Sequence, residues 1–183
     1  GDGVVTLYWD RSAESTQDKY MGNITNGADL YDFEGYKIYR ATDFEFNDAY
    51  NITDGDGNPT FLEPYVQNGV RAQWDLVDGK SGWHPVDLNG IKFYLGDDTG
   101  LTHSYVDHNV VNGQRYYYAV VSYDYGGDLS NNIIPSDSPM KLRVNPLTGA
   151  VSLGPNVVEV VPSPPSAGFV DASFAGDQVD HVL

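Results

Sequence analysis

Cysteine is absent from all 183 residues, which removes disulfides, thiolate metal sites and cysteine nucleophiles without naming a cellular compartment. Positive charge is scarce as well. Ten Lys plus Arg stand against 26 Asp plus Glu, a net charge of -16, and so acidic a surface repels phosphate backbones and anionic lipid. Neither nucleic acid nor a membrane surface is therefore an expected partner. No apolar run approaches the roughly 18 to 20 residues that span a bilayer, so no membrane insertion is expected. Gly1-Asp2-Gly3 is not a signal peptide, and the chain opens abruptly at a strand, as a mature or excised piece of something longer would.

Catalytic signatures are equally thin. His84, His103, His108 and His181 lie apart from any Ser or metal-ligand spacing, and neither a Gly-x-Ser-x-Gly elbow nor a phosphate-binding glycine loop occurs. Carboxylate pairs suited to glycoside hydrolysis are always available in so acidic a chain and discriminate nothing. The expectation is a protein that is not an enzyme.

What the chain does contain is aromatic strands. The hydrophobic fraction is 40%, with fourteen tyrosines, a residue suited to strands buried on one face and wet on the other. Phe33 to Arg40 and Asn112 to Tyr123 are dense in aromatic and β-branched residues, open beside a turn-forming glycine, and repeat a large residue at every second position, the pattern of a half-buried strand. Val4 to Trp9 alternates and reads as the first strand. Trp74 to Asp78, Ile91 to Leu95 after the turn dipeptide Asn89-Gly90, and His103 to Asp107 are further candidates, and Met140 to Val144 ends the compact part. One all-β domain over residues 1–146 is expected, with insertions at about 15–32, 42–73 and 79–101. The first insertion has room for a short helical turn near Ala13 to Tyr20. Val157 to Val161 fits a last strand, but Pro162-Ser163-Pro164-Pro165 cannot sit inside a sheet. Residues 147–183 therefore read as an extended Pro-containing tail, a possible donor strand or the start of a following domain.

Leu7-x-Trp9, Gly35-Tyr36-x-Ile38-Tyr39-Arg40, Tyr105-x-Asp107 and Gly113-x-x-Tyr116-x-Tyr118-x-Val120-x-Ser122, in this order, resemble strands B, C, E and F of a fibronectin type III-like domain over about residues 4 to 145. The resemblance implies an immunoglobulin-like β-sandwich, with Tyr116 as the corner tyrosine whose hydroxyl bonds backbone near the start of strand F. The usual first strand is missing or lies upstream of Gly1, and the connections after strands B and C are longer than in a minimal domain. Asp32 to Arg40 followed by a Val-Val-Pro-x-Pro segment also resembles modules of secreted bacterial multidomain surface proteins, which implies an extracellular or cell-surface location. Such a sandwich hosts unrelated binding functions, so the likeness does not name a ligand.

In that topology strand B ends at the pole where strand C begins and strand F ends. Asp10, Glu14, Asp32, Glu34 and Asp124 are therefore candidates for a shared Ca²⁺ site, since Ca²⁺ takes six to eight oxygen ligands at about 2.3–2.6 Å. Solvated loop acids are the competing reading. Asp54, Asp56 and Asn58 open like a calcium loop, but Pro59 stands where that loop needs Gly and Glu63 comes two residues early. Asp124, Asp128, Asn131 and Asn132 either join the first cluster or are turn residues. Trp74, Trp83 and nearby tyrosines form either a sugar-stacking platform or core. The expected function is a non-catalytic structural and interaction module. It would be a bead of a multidomain protein or a surface-fibre subunit that adds strands to neighbouring copies or domains. A carbohydrate-binding accessory domain is the alternative.

Overall fold

A computed structural model describes residues 2–27, 29–130, 132–166 and 168. In chain order the elements are β1 (Val5–Tyr8), a 3-10 turn (Ser12–Ser15), α1 (Lys19–Ile24), β2 (Phe33–Ala41), β3 (Asn51–Thr53), β4 (Pro59–Leu62), β5 (Val66–Gln67) and β6 (Val70–Arg71). There follow β7 (Gln73–Asp75), β8 (Trp83–Leu88), β9 (Ile91–Tyr94), β10 (Ser104–Asp107), β11 (Tyr116–Asp124), β12 (Leu142–Val144), β13 (Val151–Leu153) and β14 (Val157–Val160). The described residues are all-β apart from α1 and the 3-10 turn.

The two aromatic stretches pair with each other along almost their whole length. Antiparallel β2 and β11 run from Ala41 opposite Tyr117 to Gly35 opposite Tyr123, and they form the centre of a four-stranded sheet ordered β14-β11-β2-β7. β1 pairs with β10 in a separate two-stranded sheet, Val5 opposite Asp107 and Tyr8 opposite Ser104. Val5 and Leu7 from β1 pack with Ile38, Tyr116 and Tyr118 in one buried cluster, so this small sheet covers one face of the larger one. The opposite face carries Tyr39, Ala41, Tyr117, Ala119, Val121 and Val157. It is covered by Phe46, Leu62, Met140, Leu142 and Leu153, and further along by Phe93 and Leu95 packed on Tyr123.

Burial on both faces corrects the expectation of half-wet strands. Tyr116, Tyr117, Tyr118 and Ala119 are successive buried positions, and Glu34 through Tyr39 are buried without interruption. A strand covered on both sides tolerates few polar side chains, and tyrosine meets this limit by burying its ring while its hydroxyl finds a partner. Tyr118 donates to Asp107 Oδ2 at 2.8 Å, Tyr117 to Glu159 Oε2 at 2.9 Å, Tyr39 to Asp137 and Tyr123 to the Leu95 carbonyl. Tyr116 instead accepts, from the Val111 N–H at 3.0 Å. Lys37 is buried too, with Nζ 3.1 Å from Asp137 Oδ1 and 3.6 Å from the centroid of the Phe93 ring.

The expected insertions contain local hairpins. β3 pairs with β4, β5 with β6, and β8 with β9. The helix is α1 at Lys19–Ile24, later than the turn expected at Ala13 to Tyr20, because Asp18 caps it. The Asp18 carboxylate accepts from the amides of Tyr20 and Met21, satisfying donors that a helix start leaves open.

The boundary expected at residue 146 is not where the sheet ends. β14 pairs antiparallel with β11, Tyr116 opposite Val160 and Ala119 opposite Val157, and Val157 is buried in the core. The strand considered as a donor to a neighbour is used within its own chain. Residues 169–183 of the expected tail, His181 among them, lie outside the described residues.

Candidate cation-binding pole

Three carboxylates meet where the loop carrying α1 joins the start of β2 and the end of β11. The loop is closed on itself by the Asp18 N–H donating to the Leu30 carbonyl at 2.8 Å and is anchored by the buried side chain of Met21. Two residues later the Asp32 carbonyl accepts from the Tyr125 N–H at 2.8 Å, which sets Asp32 beside the end of β11. Asp124 is held by Ser136, whose amide and Oγ donate to its two oxygens at 2.8 and 2.6 Å. One carboxylate oxygen from each of Asp18, Asp32 and Asp124 then lies within 4.8 Å of the others.

The electrostatics at this pole are unbalanced. Asp32 is only 7% exposed, and its Oδ2 is buried without a hydrogen-bond partner. Burial, then the charges of Asp124 and Asp18, push its carboxyl up to about 6. Burial also raises Asp124, against the lowering effect of Ser136. Among the described residues, no Lys, Arg or His forms an ion pair with any of the three. The carboxylates line a cleft of about 470 Å³ together with Lys19, Phe33 and Ser138.

Of the five expected ligands, Asp32 and Asp124 are brought together and three are not. Asp10 is exposed, and its Oδ1 accepts from the Ser12 amide at 2.9 Å. Glu14 Oε1 lies 2.5 Å from His103 Nε2 and accepts from the Tyr36 hydroxyl at 3.4 Å, on the side of the sheet that β1 covers. Glu34 is turned away by a bulge. Phe33 pairs with Asp124 but Gly35 with Tyr123, so Glu34 is the extra residue, and a bulge re-aims the side chain it carries. The same crowding explains Gly35, where a Cβ would collide with the Trp74 carbonyl and lie 2.7 Å from the Tyr123 hydroxyl.

Glu34 is fully buried, and neither of its oxygens has a hydrogen-bond partner. Burial raises its carboxyl to about 8, with Asp78, Asp75 and Asp98 adding to the effect and Lys80 opposing it. Asp18 was missed because it stands in an irregular, polar loop. Its signal was that of a helix N-cap, an Asp heading the short segment that contains Met21.

The remaining candidates serve local structure. Asp54 Oδ1 accepts from the amides of Asp56 and Asn58 at 3.0 and 2.9 Å, a turn at the tip of the β3–β4 hairpin. Asp128 accepts from the Ser130 amide at 2.8 Å, and Asn131 lies outside the described residues. Trp74 packs against the core, whereas Trp83 is 58% exposed with its ring 5.0 Å from that of Tyr94. His84 is fully buried, with Nδ1 accepting from the Val86 amide at 3.2 Å.

No protein-family model, curated protein or solved structure matches this chain.

Proposed function

We propose that this chain is a non-catalytic, fibronectin type III-like sandwich module of an extracellular multidomain protein, acting as a structural and interaction bead. The observation that carries this reading is the Tyr116 corner. Its hydroxyl bonds the Val111 amide five residues upstream, as the corner tyrosine of such sandwiches bonds backbone upstream of strand F. Strand order supports it as well. In this reading β7, β2, β11 and β14, neighbours in one sheet, would correspond to strands C′, C, F and G, and the β1–β10 pair to B and E. The in-chain pairing of β14 favours a bead over a fibre subunit built by strand donation. Sedimentation velocity over a hundredfold concentration range, with electron microscopy of the same sample, tests this. A monomer at every concentration is expected, and filaments would overturn the bead reading.

A second reading, carbohydrate binding, draws on the exposed Trp83 beside Tyr94, since an accessible indole face stacks on sugar rings. It predicts glycan-array binding that Trp83→Ala abolishes. An array without signal for the unaltered chain removes it.

A further inference from the structure

We propose that Asp18, Asp32 and Asp124 form a Ca²⁺ site that fastens the α1 loop to the end of the central sheet. The inference is independent of the module reading: self-association bears on that one, chelation on this.

Three separate segments each deliver one carboxylate oxygen within 4.8 Å of the other two. Oxygens bound to one Ca²⁺ at about 2.3–2.6 Å can lie up to about 5 Å apart, so this grouping is compatible with the ion, whose flexible all-oxygen coordination suits three carboxylates better than the rigid, water-retaining octahedron of Mg²⁺. Clustered acids alone would be an ordinary acidic surface. Here Asp32 is more than nine-tenths buried, and its Oδ2 is shut off from solvent with no donor to satisfy it. A buried carboxylate oxygen without a partner is costly to maintain, and a cation between the three groups supplies the missing partner.

The neighbours leave ligand capacity free. Asp18 Oδ1 is engaged by the α1 amides, while none of its described hydrogen bonds uses Oδ2. Each Asp124 oxygen accepts one bond from Ser136 and keeps a further lone pair. The adjoining cleft of about 470 Å³ has room for the waters that bring Ca²⁺ to six or more ligands.

Asp18 is tied to Leu30 and α1, Asp32 to β2, and Asp124 to β11 and Ser136. One ion would therefore fasten the α1 loop to the already paired ends of β2 and β11, and it would bind the folded chain far better than the unfolded one.

The test is thermal unfolding of the full chain in EDTA, then in CaCl₂ at rising concentration. At Ca²⁺ about a hundredfold above its dissociation constant, a rise in Tm of roughly 5–10 °C is expected. Asp32→Asn should equal or exceed the unaltered chain in EDTA, because a repelled buried charge is gone, and should lose the Ca²⁺ response. Asp124→Asn should lose it too, and Asp54→Asn should keep it. An unaltered Tm between EDTA and CaCl₂ would overturn the proposal. So would a response that survives both Asp32→Asn and Asp124→Asn, or one abolished by Asp54→Asn.

Discussion

Asp107→Ala is expected to lower the unfolding free energy by about 3–5 kcal/mol, the cost of stripping one partner from a buried ion pair. Asp107 is fully buried at the end of β10. Its Oδ2 accepts from Arg40 Nη1 and from the Tyr118 hydroxyl, both at 2.8 Å. Its Oδ1 accepts from the Asn109 amide at 2.8 Å and from the Tyr65 hydroxyl at 3.3 Å. Arg40 lies over the Tyr65 ring, 3.9 Å from its centroid, so the carboxylate ties the β1–β10 sheet to β2 and β11. Alanine leaves a buried phenol without its acceptor and a guanidinium without its carboxylate, though Arg40 Nη1 keeps the Asn109 carbonyl at 2.8 Å. Replacing both charges, Arg40→Met with Asp107→Leu, should recover most of the loss, since a well-packed apolar pair often matches a buried ion pair. Urea unfolding monitored by tryptophan fluorescence gives both values. A loss under about 1 kcal/mol for Asp107→Ala would mean that the pair contributes little beyond its own desolvation cost.

Glu34→Gln is expected to stabilise the protein, and increasingly so as pH rises. The folded-state pKa of about 8 lies above the ordinary 4.5, so the folded chain holds this proton more tightly than the unfolded chain does. The stabilisation that comes from holding it is complete below about pH 4.5 and is lost as pH rises through about 8. Glutamine cannot ionise and has no such loss. The two proteins should be nearly equal at pH 4.5–5, and the variant should be ahead by about 3 kcal/mol at pH 7. Denaturant unfolding from pH 5 to 9 in EDTA reads the difference. Parallel curves for the two proteins would show that Glu34 does not titrate in this window.

The long strands were legible because their signal is long. β2 and β11 carry nine residues each, enough aromatic and β-branched positions to override local ambiguity, and β1, β9 and β10 fell close to their expected places. What misled was the assumption of one wet face. Lys37 and Ser122 look like solvent-facing positions, yet Lys37 is buried on Asp137, and the unbroken Tyr116 to Val121 run already had the composition of a strand covered on both sides. β5 and β6 span two residues each, too short for any period to register.

The pole was half legible. Asp32 and Asp124 follow from where β2 starts and β11 ends, whereas alternation presumes a regular strand and cannot see the bulge that turns Glu34 elsewhere. Asp18 depends on how an irregular loop folds back on itself, and no periodicity encodes that.

The placement of β14 has a mechanical consequence. The chain leaves the sheet at its outer strand and continues into Pro162-Ser163-Pro164-Pro165, a stiff and extended segment. Tension on that segment arrives at the Pro162 carbonyl, which accepts from the Gly113 N–H at 2.8 Å, and then at the short ladder from Tyr116 opposite Val160 to Ala119 opposite Val157, while the longer β2–β11 ladder lies one strand further in. Under load β14 should peel away before the aromatic core yields, which would give the sheet a soft outer catch and a stiff centre.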